Sequence, residues 1–316
     1  LTMNRSRYRC MSSTINYIYA MPTIFLEHAF GMNALVVECR FSIRRVFHPL
    51  ILFWRYGSDG RSTYREAMER LTARADLGWH IRNSKTYYNP IYSETTKRMN
   101  SRKRANIERL LTPRHIALFG GSDVEVAIRE AKRQKFSGQI WPVNPKRNEI
   151  LGLKCFKSVK DLPASPDASF IAVPSKLALG VVRDLALVEA GGIVCYAAGF
   201  SETGVEGEKL EKELTRLAGD MPIIGPNCYG FINYLENVAL WPFAHGGWCP
   251  GFGVAIITQS GMLSSDITMT QRSLPITHMI SVGNQCSVTI EDLIEILCEN
   301  PKIRAIGVHI EGIKDI

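Results

Sequence analysis

Beyond residue 103 the chain alternates between two hydrophobic rhythms. HIALF (115–119), GQIWPV (138–143), ASFIAV (168–173), GIVCYA (192–197) and MPII (221–224) are continuous apolar runs of strand length. Between them the period becomes helical: residues 123–135 set Val124, Ala127, Ile128 and Ala131 on one face and display Arg129, Arg133 and Lys135 outward. Segments 175–190 and 205–219 also read as helices, and RANIERLL (104–111) forms a short one before the first strand. Continuous apolar strands alternating with helices predict a parallel sheet covered on both faces, because parallel neighbours need crossover connections. After a break at PGFG (250–253) the alternation restarts with VAIIT (254–258), a helix from about Met262 to Arg272, HMISV (278–282), a helix over 289–299 and AIGVHI (305–310). The fold class is α/β in two domains, 101–245 and 250–316, the second holding three strands and cut short at Ile316.

Residues 1–100 follow neither rhythm. They begin at Leu1 and mix Arg, Tyr, Met and His with few acids. An arginine-rich targeting segment is one reading; a reading frame extended upstream of a natural start at Met99 is the favoured one. The extension is expected to be poorly ordered or not native, its best helix being 62–78 with Ser62 as N-cap and Gly78 just past the end.

The net charge of +8 belongs to that extension: residues 1–100 hold 15 Lys/Arg against 7 Asp/Glu, while residues 101–316 hold 23 of each. The basic balance therefore points to no nucleic-acid partner for the main body. Eight scattered cysteines, with no C-x-x-C and no Cys/His cluster at zinc spacing, favour a reduced, cytoplasmic setting and no structural metal. No apolar run reaches the 18 residues of a membrane span; the nearest, VFHPLILFW (46–54), is short and contains His48 and Pro49.

In a parallel sheet ligands bind beyond the carboxyl ends of the strands. Five loops fall there: GGSD (120–123), NPKR (144–147), PSK (174–176), AGFSETG (198–204) and GPNCYG (225–230). Gly120 and Gly121 allow backbone N–H groups at a helix N-terminus to approach an anion, although a glycine pair after a strand is also simple turn chemistry. Ser122 and Glu125 have the S-x-x-E spacing of a capping box, which satisfies the same N–H groups from within. Where NAD binding calls for an acidic residue, this chain has Asn144, Lys146 and Arg147, which suit a phosphorylated ribose or polyphosphate, or else form a solvated turn.

TQSGML (258–263) is the corresponding turn of the second domain, where Ser260 and Gly261 cap a helix and offer donors to a phosphoryl group. A serine nucleophile is disfavoured, since the glycine two places before Ser260 is missing and no His/Asp partner is placed. Glu311 closes the last strand as a carboxylate able to orient an imidazole, or as a simple loop acid. His115 and His309 read as structural strand residues, His245 and His278 are open, and Cys228 reads as a small buried thiol.

Taken in order, RANIERLLTPRHIALFGGSD, IWPVNPKRNEILGLKCFKSVKDLP, FIAVPSK, AGFSETG, IGPNCYGFIN, VAIITQSGML, ISVGN and HIEGIKD resemble one family, the NDP-forming (ADP-forming) acyl-CoA synthetases or acetate–CoA ligases, relatives of the succinyl-CoA synthetase α subunit. The likeness runs from about residue 104 to 316, and nothing comparable covers 1–98. It implies a Rossmann-like CoA-binding domain followed by a truncated flavodoxin-like ligase domain. It also implies that Gly120, Gly121 and Ser122 hold CoA phosphate, that Lys146 and Val173, Pro174 and Ser175 flank the nucleotide, and that Asn227 and Cys228 lie near the thiol. In the second domain it implies that Ser260 and Gly261 receive phosphate and that Glu311 stands beside a phosphohistidine expected beyond Ile316. The implied reaction joins a small carboxylic acid to CoA at the expense of ATP. ATP and Mg²⁺ would bind an ATP-grasp region on a partner subunit or a C-terminal domain, in an oligomer. The chain departs from the family in lacking the further glycines many members carry after the first turn.

Two other functions compete. One is a CoA-binding regulatory module of a protein acyltransferase, with no turnover of its own. The other is a nicotinamide-binding Rossmann protein, disfavoured by the missing acidic residue.

Overall fold

The apolar runs form strands and the amphipathic segments form the helices that cover them. The computed structural model describes residues 99–270 and 274–311, together with the backbone of four N-terminal strands. These are β1 (Asn33–Val37), β2 (Ser42–Ile43), β3 (Val46–Phe47) and β4 (Leu50–Arg55). The helix expected over 62–78 lies outside the described residues.

Asn100 caps α1 (Ser101–Leu111) by accepting the Lys103 N–H at 2.7 Å, and the helix buries Ile107, Leu110 and Leu111. The first domain continues through β5 (His115–Gly120), α2 (Ser122–Arg133), β6 (Gln139–Val143) and a small hairpin of β7 (Glu149–Ile150) and β8 (Leu153–Lys154). It is completed by β9 (Ala168–Ala172), α3 (Ser175–Leu187), β10 (Ile193–Cys195), α4 (Val205–Ala218) and β11 (Ile223–Ile224). Val124, Ala127, Ile128 and Ala131 of α2 are all fully buried, worth about 2 kcal/mol for each of the larger two.

The five strands of this sheet run parallel in the order β11-β10-β9-β5-β6. The winding reverses between β5 and β9, the place where an open parallel sheet leaves a crevice for a ligand. Gly120 and Ala172 end those two strands as register partners.

The second sheet takes in more chain than the alternation after residue 253 predicts. A hairpin of β12 (Gly230–Asn233) and β13 (Val238–Leu240) precedes β14 (Gly253–Thr258), α5 (Gly261–Thr268), β15 (Ile276–Ser281), α6 (Ile290–Leu297) and β16 (Ile303–Ile310). Strands β14, β15 and β16 form the expected parallel centre, while β12 pairs antiparallel with β15. The chain thus enters the second sheet at Gly230, ahead of the PGFG break. On the other edge β4 lies parallel to β16 and β1 antiparallel to β4. Among the described residues no helix is long and apolar enough to cross a membrane. Helix α5 ends at Thr268, short of the expected Arg272; residues 271–273 lie outside the described set.

One core runs through both sheets, joining Leu118, Ile128 and Phe170 to Phe231, Ile280 and Leu293. Helix α1 clasps the junction: Lys103 Nζ donates to Asp292 Oδ2 at 2.7 Å and to the Ser287 carbonyl at 2.9 Å.

Candidate functional site

The two glycines of the first turn do different work. Gly120 has φ +148°, and a Cβ there would lie 2.4 Å from the Ala172 carbonyl oxygen, so only glycine lets the ends of β5 and β9 come this close. A Cβ on Gly121 would meet no atom within 4 Å; that side of the turn is open. Gly121 is the N-cap of α2, and no side chain caps the helix.

The capping box expected of Ser122 and Glu125 does not form. The helix starts one residue earlier than that pattern requires, so Ser122 already lies inside it, and Glu125 turns to Arg147 and Arg129 instead. Among the described residues the N–H groups of Ser122, Asp123 and Val124 have no protein acceptor, whereas that of Glu125 bonds to the Gly121 carbonyl. Unsatisfied donors at the positive end of a helix dipole favour an anion.

Asn144 occupies the position where a ribose-binding acid was sought. Its amide donates to the Gly120 carbonyl at 2.8 Å and its oxygen accepts the Lys146 N–H at 2.9 Å, tying the second loop to the first turn. Lys146 itself is exposed at the rim.

A cleft of about 410 Å³ opens beside this turn, within the ~300–1,000 Å³ usual for small-molecule sites. Asp123, Val173, Pro174, Tyr196, Asn227 and Tyr229 are among its walls. Four of the five crevice loops therefore converge, while Lys146 stands outside the lining. Ser175 begins α3, and its hydroxyl packs beside Gly199 of the fourth loop. Asn227 is exposed with φ +56°, and its N–H donates to the Ala197 carbonyl at 3.0 Å. Cys228 is 2% exposed, and its Sγ lies 3.5 Å from the carbonyls of both Cys195 and Ile224. Burial raises its thiol far above the ordinary range, leaving a neutral group at the cleft floor.

Two cleft residues, Tyr196 and Tyr229, escaped sequence reasoning, although Tyr196 directly follows the end of β10 and Tyr229 lies within the fifth crevice loop. Burial and the Asp123 carboxylate raise the Tyr196 hydroxyl above its ordinary value, so it stays protonated at neutral pH.

The second turn is held from within. Ser260 caps α5, its Oγ accepting the Leu263 N–H at 3.4 Å, and its own N–H donates to Thr258 Oγ1 at 2.9 Å. Thr258 Oγ1 lies 3.1 Å from His309 Nδ1 on the neighbouring strand. Burial lowers the His309 imidazole against the raising pull of Glu311, which keeps it neutral. Glu311 is exposed, and its N–H donates to Gln259 Oε1 at 2.5 Å. Ser260, Gly261 and Glu311 are thus neighbours across β14 and β16. The Ser260 hydroxyl contacts a backbone N–H, not a base, among the described residues.

The loop after β15 ties the second sheet to the fourth and fifth crevice loops of the first domain. Asn284 donates to Glu202 Oε2 at 2.6 Å and Glu211 Oε2 at 2.8 Å, and its own N–H bonds to the Pro226 carbonyl at 2.9 Å. Burial would raise the Glu202 carboxyl, but the Asn284 amide and the Gly199 and Phe200 N–H groups outweigh it and hold the group below its ordinary value.

The remaining histidines among the described residues are structural. His115 stacks on Trp141 with ring centroids 4.8 Å apart, and His278 is buried, its imidazole lowered to about 4. His245, whose role the sequence left open, is buried against α2, 3.5 Å from Glu130. A larger hollow of about 590 Å³ lies at the opposite end of the first sheet, between α1, α3 and α4. Its Arg102 pairs with Glu189 at 3.0 Å and Asp220 at 3.8 Å, leaving a solvated groove rather than a site.

Residues 114–234 match the family described as CoA binding domain, and residues 251–316 match the succinyl-CoA ligase like flavodoxin domain. Over 230 residues the chain is 36% identical to a trans-feruloyl-CoA synthase of an unknown prokaryotic organism, covering 68% of this chain and 32% of that protein. It is 34% identical over 219 residues to the α subunit of acetate–CoA ligase (ADP-forming) II of Pyrococcus furiosus, covering 66% of this chain and 47% of that subunit. Among solved structures, the dinucleotide forming acetyl-coenzyme A synthetase 1 of Ca. Korarchaeum cryptofilum superposes with a TM-score of 0.61 at 31% identity, over 66% of this chain and 47% of that one. The chain thus spans from about a third to half the length of these relatives.

Proposed function

Since residues 114–316 belong to the NDP-forming acyl-CoA synthetase family, we propose that the chain is the CoA-binding and acyl-transfer part of an ADP-forming acid–thiol ligase. The observation that carries this reading is the first turn of α2. Three backbone donors without partners among the described residues stand beside a cleft that leads toward the N-terminus of α5.

In this reading Gly120, Gly121 and Ser122 hold the CoA pyrophosphate, and Lys146 at the rim supplies charge. Val173, Pro174 and Ser175 flank the nucleotide, and the arm extends past Asn227 over the buried Cys228. Cys228 shapes the floor and does not act as nucleophile, because its thiol is buried and neutral. Ser260 and Gly261 present the start of α5 to a phosphoryl group, and Glu311 orients the phosphohistidine expected downstream.

The transfer itself joins the CoA sulfur to the acyl carbon of an acyl phosphate. The C–S bond forms as the C–O bond to phosphate breaks, phosphate leaves, and the thiol proton passes to phosphate or water. Fixed donors at a helix N-terminus suit this step, since the departing oxygen gathers charge. ATP, with Mg²⁺ on its phosphates, would supply the phosphoryl group from an ATP-grasp region on a partner subunit or further domain, and the acid is a small carboxylic acid. That a solved relative is in complex with phosphate and ADP supports the phosphoryl-transfer part of this reading.

Calorimetric titration of the chain tests the reading. CoA is expected to bind and NAD to give no heat; heat with NAD and none with CoA overturns it. Gly121→Val fills space that no protein atom occupies. It is expected to weaken CoA binding about tenfold, the scale of one charge-assisted hydrogen bond, and unchanged affinity would show that the turn is no phosphate site.

A further inference from the structure

Asp123, the second residue of α2, is the charged side chain among the described walls of the cleft. The other two acids of the helix are paired: Glu125 with Arg129 and Arg147, and Glu130 with Arg133. Among the described residues the Asp123 carboxylate has neither a hydrogen-bond donor nor a cation. An acid in the first turn suits the helix dipole. The dipole does not explain why this acid faces the cleft. There it stands beside the N–H groups of Ser122 and Val124, where its charge works against the anion that those donors attract.

Tyr196 lines the same cleft. Its N–H donates to the Ile171 carbonyl at 3.1 Å, and its ring stacks on the fully buried Phe170 with centroids 5.6 Å apart, so the hydroxyl is held in place. That hydroxyl also has no hydrogen-bond partner among the described residues, and burial together with the Asp123 charge keeps it protonated. The cleft thus offers an acceptor at Asp123 and a donor at Tyr196. A secondary amide presents the complement, an N–H and a carbonyl on opposite sides of one planar unit.

The pantetheine arm of CoA carries such amides between its phosphates and its thiol. On the CoA reading the arm passes these two residues. The first turn lies at one end of the cleft, and Asn227, Cys228 and Tyr229 line the other. There a Cβ on Gly261, the first residue of α5, would lie 2.9 Å from the Tyr229 ring. Resting on that reading, we infer that Asp123 and Tyr196 read an amide of the pantetheine arm, Asp123 accepting its N–H and Tyr196 donating to its carbonyl. The site then selects its ligand by the arm as well as by phosphate, because the carboxylate that holds the arm repels a nucleotide without one.

The test is calorimetric titration of the full chain with CoA and with the phosphoadenosine diphosphate left when the arm is removed from CoA. Asp123→Ala is expected to lower the ratio of the two affinities about tenfold, the scale of one hydrogen bond to a charged group. The arm-less nucleotide should bind this variant as well as the unaltered chain or better, because a negative charge has left the turn. Tyr196→Phe keeps the ring and should lower the ratio about threefold, with the arm-less nucleotide unaffected. If the alanine variant fails to fold, Asp123→Asn carries the same test, with a fall of about threefold because a neutral acceptor remains. A ratio unchanged in these variants, or an equal loss for both ligands, overturns the inference while the CoA reading stands. Absence of CoA binding by the unaltered chain overturns both.

Discussion

At the first turn the chain passes from β5 into α2 through Gly120 and Gly121, and among the described residues no side chain caps the helix. At the second it passes from β14 into α5 through Gln259 and Ser260. There Ser260, Thr258 and His309 hold the backbone in a hydrogen-bonded relay. Both are strand-to-helix turns at the carboxyl edge of a parallel sheet. The first leaves the N–H groups of Ser122, Asp123 and Val124 without an acceptor among the described residues. The second is hydrogen-bonded from within, which in the proposed reading suits a step in which charge moves, because preorganised dipoles need not reorient.

The sharpest way to break this contrast is at adjacent glycines. Gly120→Ala forces a Cβ against the Ala172 carbonyl at positive φ. It is expected to cost about 3 kcal/mol of stability through strain and overpacking, read by urea unfolding. Gly121→Val, by contrast, should act mainly on CoA affinity. Similar stability losses at both positions would mean that the open side of the first turn is not open.

A smaller effect is expected at the second turn. Thr258→Val removes the hydroxyl that the Ser260 N–H and His309 Nδ1 share. Leaving one buried and one half-buried polar group short of a partner should cost about 2 kcal/mol, measured by thermal unfolding, and a change below about 0.5 kcal/mol would show that the relay does not hold the turn.

The smallest effect concerns the latch between the loop after β15 and the fourth crevice loop. Glu202 is held below its ordinary value of 4.5, so its contribution to stability is fully present above that value. It is lost as pH falls through the lowered folded value. Other carboxylates, Asp167 among them, titrate in the same window. The reading is therefore a difference: Asn284→Ala should flatten the decline of stability below pH 4.5 relative to the unaltered chain. Identical acid limbs would remove Asn284 from the latch.

Much of this architecture was legible in sequence because it is local. Continuous apolar runs mark β5, β6, β9, β14, β15 and β16, and the Val124–Ala131 stripe marks α2. The crevice loops were legible for the same reason: each follows a strand end, and parallel topology puts those ends on one edge. Less local features were not. The start of α2 shifted by one residue, which moved Ser122 from cap to interior and emptied the predicted capping box. The short β12–β13 hairpin carried no alternation strong enough to show that it joins the second sheet.

Sequence alone determined the order of strands and helices, the two turns and the family, because periodicity and motif order survive without three-dimensional context. Only the tertiary structure decided which donors were left free, that Tyr229 spans the gap between the cleft and Gly261, and that Asn284 bridges to Glu202. Those relations join residues 32 and 82 positions apart. Such contacts depend on how two sheets pack around one core, and no local pattern of side chains encodes that distance.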